Sequence, residues 1–592
     1  MYLRIVKARG GQGVEHEYVR LVEAYRENGK SKQHIVCNLG RKDLLAAHLD
    51  PLIRLLQGEP SPAAQLAGDL QATGAWDWGP MLVASALWRE LGLEAILDRL
   101  ASPGVDRRQL SDRALVLVAN RLSAPTSEHG LARWLETDFV CDRQGRRWVP
   151  EWRDDAERLQ SRTPRVRVEL RQVKQWYRTL DQLQARKETI EKELYLRLRD
   201  LFSLKVDLVF YDLTSTYFEG HGPQGLGAHG YSRDGKPRNR QVLVGCVLVD
   251  GWPIAHHVFR GNWRDARTVP SVLEDLEQRF GLRRVVFVGD RGMVTSDNLQ
   301  LLRSREPGHG YIVGLQRRRR EEVYRYIEAA TGPWIACPVG IAAAEKTKPP
   351  KTQVQEVRSD RPGVRIFVVQ SEERLEYERT ERRKAMERVR QRLEALQERV
   401  RKGQLRAAEK VGAAAERILQ RNHGYRYYQW EYKKRHFRFF EHPTNLKREE
   451  AYEGKYVIQT EEKDLSPVEA VRIYKELSDV ERAFSSLKDV IEMRPIYHQT
   501  DERVQAHIFV AALALLLHRA IEKKLKAAGL DLSATEALQA LRSVRVVDFE
   551  LGDGKSKRCV TRGAARVARI LTALGISQTD PPTPPQGART VV

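Results

Sequence analysis

Residues 206–217 read VDLVFYDLTSTY, and residues 284–290 read RVVFVGD. In the first, Leu208, Val209, Phe210 and Tyr211 lead into Asp212; in the second, Val285, Val286, Phe287 and Val288 lead, through Gly289, into Asp290. Short runs rich in β-branched and aromatic side chains predict strands. A carboxylate at the end of such a run is costly to bury unless it is paired or holds a metal. A single aspartate of this kind more often caps a strand or opens a turn. Two in one sheet point to ligand groups at strand ends, where α/β folds place them.

Working outward, residues 241–250 and 253–261 read as two further strands joined by Gly251, and 268–280 as a helix with Thr268 as its N-cap. A second helix starts at Ser296, and 311–315 is another short strand. Three strands, helix, strand, helix, strand predicts an antiparallel meander with parallel additions: a mixed α/β sheet flanked by helices. Residues 317–455 interrupt it. They open with four arginines (317–320), and Met386, Val389, Leu393, Leu396 and Val400 then follow the 3-4-3-4 spacing of a coiled-coil seam. Gly403 is placed to break that helix so that 405–419 folds back on it, and 425–432 and 436–440 are aromatic and basic together. Sheet character returns at 455–460. Ser466-Pro467-Val468-Glu469 then opens a helix as a capping box with proline at the first position, and the helix is expected to run to about Val490.

Upstream, residues 18–25 and 34–39 are expected strands around Asn28-Gly29-Lys30. Residues 44–56 are an expected helix, and Pro60-Ser61-Pro62 an expected linker. From 76 to 204 the pattern is mainly helical, ending in the charged amphipathic stretch 187–201; a further helix is expected over 502–524, and the Pro- and Thr-rich tail from 578 is expected to be disordered.

Lys plus Arg number 101 against 79 Asp plus Glu, a formal net charge of +22 over 592 residues. Such an excess favours a polyanionic partner, nucleic acid before an anionic membrane surface. The five cysteines form no CxxC pair, so neither a zinc ribbon nor a disulfide framework can be read from them, and a reducing, intracellular compartment is the simplest expectation. The longest apolar run, 508–517 (IFVAALALLL), falls short of the roughly 20 residues a bilayer needs and reads as a buried helix. The glycine-rich stretch 220–230 lacks the GK[ST] ending of a phosphate-binding loop. His256 and His257 alternate on a strand and face opposite ways, and His498 and His507 stand nine apart, so neither pair suggests a zinc site.

The third carboxylate is Glu481. Tyr474, Glu481 and Lys488 are each seven apart and would share one helix face, while Val480, Ala483, Phe484 and Leu487 give that helix a buried side. The segments YDLTSTYFEG (211–220), VVFVGDRGM (285–293) and YKELSDVERAFSSLKDVIEMRPIYH (474–498) resemble the three catalytic motifs of DDE-type insertion-sequence transposases with an RNase H-like core. The third motif of that group is Tyr, two residues, Arg, three residues, Glu, six residues, Lys. This chain matches it except for Leu477 at the Arg position, where Arg482 or Arg494 could compensate. The family also carries an insertion before the Glu, as the 191-position gap between Asp290 and Glu481 suggests here.

The resemblance implies a metal site of Asp212, Asp290 and Glu481 holding Mg²⁺ or Mn²⁺, two ions in all, with the carboxylates converging and repelling one another without metal. It also implies DNA contacts at Tyr474, Lys488, Arg482 and Arg291. The expected layout is a small α/β unit (1–60), a helical DNA-binding and dimerisation region (61–204), the core in two parts (205–316 and 456–525) around an insertion (317–455), and a C-terminal helical region with its tail (526–592). The implied activity is cut-and-paste transposition in a prokaryotic cytoplasm, on double-stranded DNA, by at least a homodimer, with the N-terminal 200 residues recognising terminal repeats and no membrane partner. The alternatives are another RNase H-like nuclease, such as a junction resolvase, and a non-catalytic DNA-binding relic.

Overall fold

The computed structural model describes residues 2–9, 15–27, 30–43, 45, 71–101, 107–150, 170–202, 208–282, 285–289, 292–293, 295–305, 308–315, 321–337, 352–421, 423–550, 556–561 and 563–584. Among them run the strands β1 (Tyr2–Arg9), β2 (Glu15–Glu27), β3 (Lys30–Arg41), β4 (Gln71–Asp77), β5 (Leu208–Tyr217), β6 (Gln241–Val249), β7 (Trp252–Arg260) and β8 (Val286–Gly289). They continue with β9 (Gly310–Gly314), β10 (Ile335–Cys337), β11 (Thr352–Val357), β12 (Arg365–Ser371), β13 (Tyr428–Lys433), β14 (His436–Glu441), β15 (Lys455–Thr460), β16 (Arg545–Glu550) and β17 (Ser556–Val560). Contacts divide the chain into two compact units. The first comprises Met1–Lys205, Leu213–Trp263 and Arg482–Val592, the second Val206–Asp212 and Arg264–Glu481.

The first unit is built round the helix Asp501–Ala527. This helix is long and apolar enough to cross a membrane by composition, with mean hydropathy 1.7 over its best window, yet 83% of that window is buried. Helices Arg107–Ser123 and Leu170–Gln184 and strand β7 pack on it. Removing so much apolar surface from water, at roughly 25 cal/mol per Å², makes it the core of this unit. All nine positions of β6 are buried, the pattern of a strand covered on both faces. Helix Lys187–Phe202 is fixed to β7 by a buried cluster: Glu191 lies 2.7 Å from His256 Nδ1 and 3.0 Å from Lys187 Nζ, and accepts from the His256 backbone N–H at 3.1 Å. At the N-terminus β1, β2 and β3 form an antiparallel sheet, so the expected pair of strands gains β1, which pairs Ile5 with Val19. Most of the expected 44–56 helix and the 60–62 linker lie outside the described residues. β4, inside the stretch expected to be helical, pairs with β16, which pairs with β17.

In the second unit the strand order is β10-β11-β12-β15-β9-β8-β5. β5 pairs with β8, and β8 with β9, in parallel, as expected of the additions to the meander. β15, β12, β11 and β10 then continue the sheet antiparallel, so strands from the interrupting stretch extend it. Short strands such as β10, with only Cys337 of its three residues buried, carry too little apolar pattern to be read from sequence.

The helical hairpin forms as expected. Helix Glu372–Arg401 presents Val389, Leu393, Leu396 and Val400 to Val411, Ala415 and Leu419 of helix Ala408–Arg421, with Tyr427, Tyr428 and Phe437 in the same core. Gly403, at φ +73°, ends the first helix, and its N–H donates to Val400 O at 2.9 Å. The hairpin β13–β14 closes through Lys434 and Arg435, both with left-handed φ (50° and 64°), a conformation costing roughly 1 kcal/mol or more for a residue with a Cβ.

Candidate active site

Asp212 does not end a strand. β5 runs on to Tyr217, and Asp212 is a half-buried position between buried Tyr211 and Leu213. What ends nearby is the parallel pairing: the register of β5 with β8 runs from Leu208↔Val286 to Tyr211↔Gly289, one residue before Asp212 on one strand and before Asp290 on the other. Asp290 and Arg291 themselves lie outside the described residues. The neighbouring helix Val269–Gln278 is tied to β5 beside Asp212 by Tyr211 Oη, which donates to Thr268 Oγ1 at 2.9 Å in the interior. Thr268 stands at the N-cap, but its hydroxyl does not cap the helix; it donates back to Asp265 O at 2.7 Å. Asp265, which sequence reasoning passed over, lies beside the second motif: a Cβ built on Gly292 would stand 3.0 Å from its carboxylate. Its place depends on the turn Asp265–Arg267, and no spacing in the sequence signals it.

The third motif is more broken than expected. The Ser466–Glu469 capping box forms, with Glu469 N–H donating to Ser466 Oγ at 3.2 Å, but the helix stops at Glu476. Buried Leu477 joins it to a second helix, Ser478–Ser485, and a π-turn over Ser486–Val490 follows. Interruptions of this kind often mark functional positions. Glu481, on the short middle helix, is exposed, as is Arg482.

Between Tyr474 and Glu481 the chain passes through Leu477, which keeps helical φ and ψ (−57°, −26°), and between Glu481 and Lys488 it enters the π-turn. Tyr474 is half-buried over the sheet, its ring 5.8 Å from that of Tyr456 and its phenol packed so closely on Gly314 that a Cβ there would lie 2.2 Å from its oxygen. Lys488 Nζ donates to Asp234 Oδ1 at 2.8 Å, and Arg494 donates to the same oxygen while also pairing with Asp489 at 2.5 Å. Burial draws the Lys488 pKa below the usual lysine range, against the opposing pull of Asp234. Arg494 therefore shares a carboxylate with Lys488.

The family model of the transposase DDE domain matches residues 209–517, and that of the IS1634 family transposase N-terminal domain matches residues 3–64. This chain belongs to the DDE transposase family. Among curated proteins none matches it. Solved structures similar to this transposase include a piggyBac transposase synaptic complex with hairpin DNA, 9% identical over 78% of this chain and 79% of that one, with a TM-score of 0.33. So distant a likeness decides nothing further.

In this transposase, His498 and His507, set aside as a zinc pair on spacing, are brought together with Glu128, all three buried and within metal-ligand reach. The imidazole centroids are 5.3 Å apart and His498 Nε2 is 3.5 Å from Glu128. The convergence joins a loop far upstream to His507 on the Asp501–Ala527 helix and His498 just before it, which only folding reveals. The electrostatics argue against a metal here. His507 Nδ1 accepts from Arg121 at 3.3 Å and its Nε2–H donates to Met493 O at 3.0 Å, so neither ring nitrogen keeps a lone pair to offer. Burial, then the Arg121 charge, pushes the His507 pKa down to about 3. Burial alone would raise Glu128, but the hydrogen bond and charge of His498, with His507 and Arg121, hold its carboxyl well below the usual range.

Proposed function

We propose that this DDE transposase binds the terminal inverted repeats of an insertion sequence and carries out cut-and-paste strand cleavage and strand transfer on an RNase H-like core. The observation that carries the reading is the DDE match over 209–517, which holds Asp212 on β5, Asp290 one residue beyond the parallel register with β8, and Glu481 on its own short helix. The β5, β8 and β9 parallel strands, with β6 and β7 antiparallel to each other, support the core assignment.

Asp212, Asp290 and Glu481 are hard oxygen donors of the kind that suit Mg²⁺ or Mn²⁺ rather than zinc. Asp212 is half-buried on β5 between buried Tyr211 and Leu213, and its carboxylate is a donor of that class. Two bound ions would supply Lewis acidity to the reacting phosphate and its attacking and leaving oxygens. The chain's own share is positional. β5 and β8 pair in parallel up to Tyr211 and Gly289, the residues just before Asp212 and Asp290 in the chain, and Glu481 lies on helix Ser478–Ser485. Lys488, Arg482, Arg291 and Tyr474 contact DNA, and Lys488 and Arg494 are held by Asp234 in the described structure. In cleavage a water oxygen attacks the phosphorus, loses a proton and leaves a 5′-phosphate, while the 3′-oxygen departs as a hydroxyl; in transfer that 3′-hydroxyl loses its proton and attacks a target phosphodiester, whose own 3′-oxygen departs and is protonated to a hydroxyl. Pairing two ends requires at least a homodimer, and residues 1–200 read the repeat.

The test is a labelled duplex bearing the element's terminal repeat with Mg²⁺. Wild type is expected to cut at the repeat boundary, and Glu481→Gln to bind equally but lose cleavage by more than the roughly 10–100-fold that even an outer-shell change costs at a metal site. Equal cutting by both proteins removes Glu481 from the site; binding without cutting by wild type withdraws the enzymatic reading.

A further inference from the structure

The β13–β14 hairpin turns in two residues, Lys434 and Arg435, and the register closes on Lys433↔His436. Left-handed φ at both turn positions is the type I′ arrangement, whose twist suits a hairpin and whose usual occupants are Asn-Gly. This chain instead places two cationic residues with full side chains there, against local preference. Backbone strain of this sort clusters at functional sites.

The flanking residues continue the pattern. Lys433, Lys434, Arg435, His436 and Arg438 are all exposed. His436 Nδ1 donates to Lys434 O at 2.8 Å, closing the turn through its own side chain. Lys433 is paired with Glu431 at 2.9 Å, whereas among the described residues no carboxylate pairs with Lys434 or Arg435. The strands alternate. Tyr428, Trp430, Tyr432, Phe437 and Phe439 turn to the helical-hairpin core, where Trp430 Nε1 also donates to Glu416 at 3.0 Å; the opposite face carries Lys433, His436, Arg438 and an exposed Phe440. The aromatic face makes the ribbon a rigid mount for a cationic tip.

We infer that this tip is a DNA-backbone contact, with Lys434 and Arg435 each neutralising a phosphate of the duplex the transposase holds. The inference rests on the DNA reading above and names a surface for it. A two-stranded ribbon is narrow enough for the major groove, and cations carried on a fixed backbone reach phosphates with little further loss of freedom.

The double variant Lys434→Asn, Arg435→Gly installs the preferred turn pair while deleting both charges. Its melting temperature is expected to equal or exceed wild type. Its affinity for the terminal-repeat duplex is expected to fall, and the slope of log affinity against log salt to become shallower by about 2. Arg401→Asn, Lys402→Asn, which removes two exposed cations at the end of helix Glu372–Arg401, is the control. An unchanged slope in the turn variant, an equal loss in the control, or a fall in melting temperature alongside the affinity loss overturns the assignment. Unchanged DNA affinity with lost self-association gives the tip to a second copy instead. If wild type itself does not bind the duplex, the failure lies with the DNA reading.

Discussion

His507 shows how one side chain records its surroundings. Arg121 donates to Nδ1 and the Met493 carbonyl receives the Nε2 proton, so a second proton has nowhere to go without breaking a buried bond. With its pKa near 3 in the fold and about 6.5 in the unfolded chain, the unfolded state binds more protons between those values, so stability rises with pH across that window and is lost as pH falls below 6.5. From pH 7 to pH 5 the loss from this group is about 1–2 kcal/mol. Urea midpoints measured at both pH values should show it, and His507→Gln should flatten the dependence; an equally steep profile in the variant would assign the effect elsewhere. Leu477 is the other telling residue. Sequence marked it as a departure from the family arginine; the structure makes it a buried joint, where an ionised side chain would have to be desolvated.

At the scale of elements, the helical hairpin and the third-motif helix differ instructively. The hairpin seam was legible because Val389, Leu393, Leu396 and Val400 repeat at a spacing that only one helix face satisfies. Leu393 is fully buried in that seam, so Leu393→Ala is expected to cost about 2–5 kcal/mol. Hydrogen exchange should show the loss as lowered protection in Glu372–Arg401 and Ala408–Arg421, and unchanged protection would mean the hairpin is held by its loops and strands instead. The third-motif helix was also legible at its start, where a capping box is a local device. Its interruption was not, because nothing between Tyr474 and Lys488 is a helix breaker. Packing of Leu477 and the pairing of Lys488 with Asp234, remote in sequence, accompany the break.

For the whole molecule, a net charge of +22 sets the sign of its partners and the sensitivity of its binding to salt. If Asp212, Asp290 and Glu481 hold divalent metal in the folded state alone, Mg²⁺ or Mn²⁺ must stabilise the fold by mass action, about 2.7 kcal/mol at a hundredfold excess over the dissociation constant. Thermal melting with and without Mn²⁺ is expected to show an upward shift in wild type and none in Asp212→Asn, Glu481→Gln. A shift of the same size in the double variant would place the metal somewhere else.

The sequence by itself determined the mixed α/β class, the strand carrying Asp212, the short parallel strand ahead of Asp290, the capping box, the helical hairpin and the family. Each of these rests on a local pattern: apolar runs, turn residues, or motif spacing. Only the tertiary structure decided that β10–β12 extend the sheet, that Asp212 sits within its strand where parallel pairing stops, that the Glu481 helix is broken, and that Glu128, His498 and His507 meet. Those depend on which distant backbone fills a sheet edge and which remote side chain offers a charge or a hydrogen bond, choices fixed by packing and desolvation rather than by neighbours in the chain.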